Sequence, residues 1–199
     1  MKHLGVLILF IAFCFNLKAQ KSVTACLSKD EKNLYDLIMA YRKQNKLPVI
    51  PISKSLTFVA QTHCKDLSEN KPDNVTGCNP HSWSNKGEWT ACCYTSDHKQ
   101  AQCMWDKPRE LTNYKGNGYE IAFGSSDSRY DDYTASSESA LDAWKKSSGH
   151  NNVILNKDIW KSQGWGAIGV AIYKGYSVVW FGEEADEDGS IDECEISKN

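Results

Sequence analysis

The stretch Ala167-Ile168-Gly169-Val170-Ala171-Ile172-Tyr173-Lys174-Gly175-Tyr176-Ser177-Val178-Val179-Trp180-Phe181 decides the fold. Its two runs, 167–173 and 176–181, are apolar on both alternating faces, and Lys174-Gly175 joins them. A glycine at that junction permits the positive φ that a tight hairpin needs. Strands with one wet face alternate apolar and polar residues. Strands apolar on both faces belong inside a sheet covered on both sides. The cover has to come from the rest of the chain.

Helices in the first half can supply it. Ser28 and Glu31 form a capping box, in which each side chain satisfies a backbone N–H at a helix start. Leu34, Leu37, Ile38 and Tyr41 follow at helical spacing, and Asn45 and Pro48 close the element. A second helix starts near Ser53 or Ser55 and carries Leu56, Val59, Ala60, His63 and Leu67 on one face. His63 is therefore expected to pack in the core rather than serve as a ligand. Residues 70–118 read as mostly loop, and the rings of Trp83, Trp89 and Trp105 in it need a core or a ligand to cover them. A third helix is expected over about 136–146, burying Ala140, Leu141 and Trp144, with Gly149 as its C-cap. The fold class is α+β: a three-layer α-β-α sandwich with a central antiparallel sheet.

The N-terminus sets the compartment. Met1-Lys2-His3, an apolar run from Leu4 to Phe15, and a small residue at Ala19 describe a cleavable secretory signal over 1–19. The domain proper is placed at 20–182, with a cysteine-rich insertion at 70–118, and is followed by an acidic tail at 183–199. No later segment is apolar enough to cross a membrane. Eight cysteines are present, and Cys14 leaves with the signal. In an oxidising space most of the others should pair. Cys78, Cys92, Cys93 and Cys103 are expected to form two bridges whose pairing the sequence leaves open. Cys26 and Cys194, near the two ends of the mature chain, are candidates for each other, which leaves Cys64 over. A zinc site using Cys78, His81, Cys92, Cys93 and His98 is the rival, but no C-x-x-C pair supports it.

The formal net charge of −2 becomes −4 when Lys2 and Lys18 depart. No basic stripe suits nucleic acid. The acidic tail places Glu184, Asp186, Asp188, Gly189, Ile191 and Glu195 at positions one, three, five, six, eight and twelve of an EF-hand calcium loop. No exiting helix can follow Glu195, so a solvated acidic tail is the plainer reading and a weak calcium loop the other.

Two histidines stand out as chemistry. His81 lies in the turn Asn79-Pro80-His81-Ser82-Trp83, and His150 lies just beyond the third helix; Gly118-Tyr119-Glu120-Ile121-Ala122 comes between them. Two imidazoles and a carboxylate in one cleft could hold a zinc-like divalent cation or work as acid and base. His81, His150 and Glu120 are therefore the candidate metal ligands. Spacing alone does not bring the three together.

The ordered motifs resemble a family. Leu56-x-x-x-Ala60-Gln61-x-His63-x-x-Asp66-Leu67 followed by His81-Ser82 resembles the second helix and first histidine of the CAP superfamily. That superfamily comprises the cysteine-rich secretory, antigen 5 and pathogenesis-related proteins, with SCP-like extracellular domains. Ala143-Trp144-x-x-Ser147-x-Gly149-His150-x-x-Val153-Ile154-Leu155-Asn156 resembles the bacterial form of its second histidine motif, and 165–171 the strand that follows. The resemblance runs from about residue 30 to 182 and implies the same α-β-α sandwich. Two departures bear on mechanism. Where the family has Gly-Glu-Asn-Ile, this chain has Tyr119 after Gly118 and Glu120 in the asparagine position, so either could occupy the cleft. Where many members carry a second glutamate, this chain has Ser147.

The resemblance implies an extracellular binding domain, since lipid, sterol or partner recognition belongs to some members and hydrolysis is not general. The function expected is binding through the two-histidine cleft, of a divalent cation, a lipid or an extracellular protein. One alternative is a metal-assisted hydrolase using His81 and His150 with Glu120 as base. Another is a disulfide-stapled scaffold that binds through the cysteine-rich loop and its tryptophans. A Ser147–His150 nucleophile pair is the least supported, because no oxyanion hole or orienting carboxylate is assigned to it.

Overall fold

The computed structural model describes Lys21 and residues 23–195. The secretory signal read at 1–19 lies outside the described residues. Among the described residues five α-helices occur, in the order α1 (Lys29–Gln44), α2 (Lys54–Asn70), α3 (Ala101–Leu111), α4 (Ser137–Lys146) and α5 (Ser148–Ile154). Strand β1 (Tyr119–Phe123) falls between α3 and α4, and β2 (Ala167–Tyr173) and β3 (Tyr176–Gly182) close the chain's regular structure. The sheet order is β1-β3-β2, antiparallel throughout, with Glu120 opposite Trp180 and Val170 opposite Val179.

Alternation along the strands divides the core in two. Ile121, Ile168, Val170, Val179 and Phe181 pack with Leu34, Ile38, Leu141, Trp144 and Ile154, the layer built by α1, α4 and α5. Ala167, Ala171, Val178 and Trp180 pack with Leu56, Val59, Leu67, Trp83 and Met104, the layer built by α2, α3 and the cysteine-rich segment. Both sheet faces are thus dry, as the doubly apolar hairpin requires. Gly169 lets α2 approach: a Cβ there would collide with the backbone of Leu56 and Thr57. The exposed side of β1 is protected, since Trp144 Nε1–H donates to the Ala122 carbonyl (3.1 Å) and the Glu120 N–H meets the Met104 sulfur (3.3 Å).

Local chemistry explains most element ends. The Ser28–Glu31 capping box forms, Ser53 caps α2 through the Leu56 N–H, and Ser136 caps α4. Two expectations need correction and a third an addition. Residues 70–118 are mostly loop, as expected, but they also contain α3, which was not foreseen. Its inner face consists of Met104, Lys107 and Pro108, so apolar periodicity does not reveal it. Gly149 is not the C-cap of α4; that helix ends at Lys146 with Ser147 as its cap, and Gly149 lies inside α5. The positive φ of the hairpin turn is carried by Lys174 (50°), not by Gly175.

Disulfides tie the ends and the insertion. Cys26 bonds Cys194, Cys78 bonds Cys93, and Cys92 bonds Cys103, while Cys64 is a buried free thiol whose pKa burial raises far above its usual value. The acidic segment returns along the body: Asp186 accepts from Ser53 Oγ (2.6 Å), the Ser55 N–H (2.8 Å) and Ser55 Oγ (2.9 Å), and Ile191 is buried. This places a carboxylate at the N-terminus of α2, where the helix dipole favours it. Among the described residues no helix is long and apolar enough to cross a membrane.

Candidate functional site

The site is organised by Glu120. Strand alternation turns its side chain towards α2, and the residue is only 6% exposed. One carboxylate oxygen is 2.5 Å from His63 Nδ1 and the other 2.8 Å from His81 Nδ1. Tyr119, one position earlier, faces the other layer and packs against Trp160 and Trp165, with ring centroids 5.3 and 5.4 Å away. Glu120 rather than Tyr119 therefore meets the histidines.

His63 arrives from the buried face of α2 and lies flat against Trp83, with centroids 4.1 Å apart and planes 7° from parallel. Its Nε2 is 2.9 Å from the Ser82 carbonyl, which can only accept, so Nε2 carries a proton. Burial works against a charged His63, but the Glu120 carboxylate outweighs it and the pKa is raised. Burial likewise works against an ionised Glu120, and the two histidines outweigh it in the downward direction. The result is a buried imidazolium–carboxylate pair. It was missed because His63 reads as an ordinary core position. The signal that could have found it is Glu120 itself, a charged residue on a strand face that packs against the His63 side of α2.

His81 sits on a stapled turn. Its N–H donates to Asn79 Oδ1 (3.0 Å), the Tyr94 N–H donates to Ser82 Oγ (2.9 Å), and Cys78–Cys93 closes the loop around them. The His81 ring packs edge-on to Tyr94 at 5.2 Å. With Nδ1–H donating to Glu120, Nε2 is left as the acceptor nitrogen, and the ring is 17% exposed. A carboxylate behind an imidazole, fixing its tautomer and ring orientation, is the arrangement that supports metal-bound histidines.

His150 lies in α5, close enough to His81 and Glu120 to feel both. Burial lowers its pKa, His81 lowers it further, and Glu120 opposes them. Among the described residues no side chain or backbone group hydrogen-bonds its ring. Ser147, at the N-cap of α5, makes no side-chain cap bond. His150 and Ser147 line one end of a cavity of about 660 Å³ that follows Ala122–Ser125 and the face of α4.

Three of the four imidazole and carboxylate groups thus form one bonded chain, with His150 beside it. No protein-family profile matches the chain, and neither does any curated protein. Solved structures do. An outer surface protein from Borrelia burgdorferi superposes with a TM-score of 0.50 at 19% identity, over 78% of this chain and 93% of that one. The layers are those that the sequence resemblance implies. The fold is CAP-like. A cysteine-rich secretory protein from Staphylococcus aureus gives a TM-score of 0.46 at 15% identity. An extracellular protein containing an SCP domain from Bacillus anthracis gives 0.48 at 18%. This chain spans 38% and 40% of the lengths of those two proteins, each over 78% of its own.

Donor chemistry tests the cleft for a metal. His81 Nε2 and the His150 ring are two free imidazole positions, and Glu120 is committed to His81 and His63 rather than available as a third ligand. Among the described residues no group of three or more His, Cys, Asp or Glu side chains is placed to hold an ion. Any cation held there would have His81 and His150 as its two protein donors, fewer than the three or four that zinc sites commonly use.

Proposed function

We propose that this protein is a secreted CAP-like domain that acts by binding, through the cleft bearing His81 and His150. The observation that carries the reading is the double engagement of Glu120. A buried carboxylate spent on two imidazoles is costly unless it serves to hold one of them, and His81 is the one that reaches the surface. Glu120 then acts on His81 and not on a ligand. That weighs against Glu120 as the base of a hydrolase, since both its oxygens are occupied. Three disulfides suit the oxidising compartment to which a secretory signal would deliver the chain.

A divalent cation is the simplest occupant to test. His81 Nε2 and one nitrogen of His150 would hold it, and such an ion would supply a Lewis-acid centre or a point of attachment for a ligand. Calorimetric titration of zinc into the oxidised protein at neutral pH should show one saturable site, lost in both His81→Ala and His150→Ala. No site in the unaltered protein, with its disulfides verified, would overturn the metal reading. A site unaffected by either substitution would remove the two-histidine cleft from consideration.

A further inference from the structure

Two loops meet where α1 ends. The buried Arg42, in the last turn of α1, joins them. Its guanidinium donates to the Pro48 carbonyl (3.1 Å), the Ile154 carbonyl (2.5 Å) and Asn156 Oδ1 (2.7 Å). Asn156 Nδ2 donates to the Gln163 carbonyl (2.9 Å), which closes residues 156–163 on themselves. Beneath that loop Trp160 packs against Tyr119 and Trp165, with ring centroids 5.3 and 5.7 Å away. Its neighbour Ile159 is left outside at 74% exposure, and Val49, on the other loop, at 61%. Among the described residues no other large hydrophobic side chain is as exposed as these two. The backbone holds them out: Lys46, Asn156 and Asp158 have left-handed φ angles of 61°, 50° and 55°. Such angles persist outside glycine only where the surroundings fix them, so both loops keep one shape.

The charge on these loops has one sign. Residues 43–49 and 156–163 carry Lys43, Lys46, Lys157 and Lys161, all exposed, against Asp158 alone. Among the described residues none of the four lysines lies within 4.0 Å of a carboxylate. The helix dipole accounts for Lys43 and Lys46 at the end of α1. It does not account for a bare isoleucine set between two lysines. A soluble polyanion offers phosphates or sulfates for the lysines and no apolar interior for Ile159. An anionic bilayer offers both in layers, with phosphates at the depth of the ammonium groups and hydrocarbon below them. Lysine stems lie along apolar surface while their heads stay with the phosphates, so the two kinds of residue can be served at once.

We infer that this end of the molecule docks peripherally on an anionic lipid surface, with Ile159 and Val49 between the headgroups and the four lysines on phosphates. The surface is built from α1 and the two loops that follow α1 and α5, and it uses neither His81 nor His150. Its failure therefore leaves the cleft reading untouched. Sequence alone did not suggest it, because the two lysine-bearing segments are more than 100 positions apart and only Arg42 brings them together.

Co-sedimentation of the oxidised protein with lipid vesicles tests it, using equimolar phosphatidylglycerol and phosphatidylcholine against phosphatidylcholine alone. At about 0.1 M salt the protein should bind the anionic vesicles and not the neutral ones, and raising the salt to about 0.5 M should weaken binding at least about tenfold. Lys157→Glu with Lys161→Glu should weaken it at least about tenfold. Ile159→Ser, which changes no charge, should weaken it at least about fivefold. All three positions are exposed, and an unchanged urea midpoint confirms that the variants fold. Absence of binding to anionic vesicles would overturn the proposal, as would equal binding to both kinds. Binding that the lysine changes abolish and Ile159→Ser leaves intact would overturn it in favour of a soluble polyanion as the partner. Binding indifferent to all of these substitutions would place the lipid contact elsewhere on the molecule.

Discussion

Replacing Glu120 with glutamine removes one charge from the core and changes almost no volume. The native carboxylate is held at 2.5 Å by His63 and 2.8 Å by His81. Folding raises the His63 pKa above 6.5 and lowers that of Glu120 below 4.5. The raised His63 contributes stability that is complete below pH 6.5 and is lost as pH rises through its folded value. The lowered Glu120 contributes stability that is complete above pH 4.5 and is lost as pH falls through its folded value. In the glutamine variant the amide can donate to His63 Nδ1 and accept from His81, while His63 Nε2–H keeps the Ser82 carbonyl. His63 then becomes neutral, because burial, which lowers its pKa, is opposed only by the Ser82 carbonyl and Asp66. Stability of the variant should therefore rise with pH up to about 6.5, where the wild-type contribution of this group is level, and level off above it, where the wild type declines. One titrating group changes stability by at most about 1.4 kcal/mol per pH unit. Between about pH 5.5 and about pH 7.5 the gap between the two proteins should narrow by on the order of 2–3 kcal/mol. Urea unfolding followed by tryptophan fluorescence at several pH values measures it. Parallel stability–pH profiles for the two proteins would refute the buried ion pair. Glu120→Ala, which leaves the imidazolium without a partner, should cost about 3–5 kcal/mol at mildly acidic pH.

The same denaturation assay checks two structural claims. Gly169→Ala drives a methyl group into the Leu56 backbone, and should destabilise by about 1–3 kcal/mol; an unchanged midpoint would show that α2 can withdraw from β2 without loss. Cys26→Ser with Cys194→Ser opens a bridge of sequence separation 168. The chain-entropy relation gives about 5 kcal/mol for a loop that long, and a loss of about 2–5 kcal/mol is expected. A loss below about 1 kcal/mol would mean that Asp186 and Ile191 hold the C-terminal segment unaided.

The hairpin and α1 were legible because their signals are redundant. Both strands are apolar at nearly every position, and α1 has a capping box, a periodic face and an exit residue that agree. α3 was hidden for the opposite reason. Lys107 is 1% exposed, its ammonium bonded to the Thr90 carbonyl (2.6 Å) and Glu110 (2.5 Å) and set over the Trp83 ring. A lysine and a proline on an inner face look, in sequence, like a wet loop. His63 was hidden by the reverse disguise, a polar residue in a place where an apolar one would fit the pattern. Its partner lies 57 positions away, and no local rule couples them.

Glu120 shows how narrow the margin was. Side chains alternate along β1 with period two, so a one-residue displacement exchanges faces completely. Tyr119, Ile121 and Phe123 pack towards α1 and α4, which leaves Glu120 and Ala122 for the α2 side. The glutamate is therefore not a family residue slipped out of place and turned away; at its own position in this chain it points at His63 and His81. The second carboxylate oxygen has its partner in His63, locked between Trp83 and the Ser82 carbonyl. The stapled loop completes the logic. Ser82, whose carbonyl receives His63, directly follows His81 within the segment closed by Cys78–Cys93. The turn that presents His81 to the surface also fixes the histidine that keeps Glu120 ionised behind it.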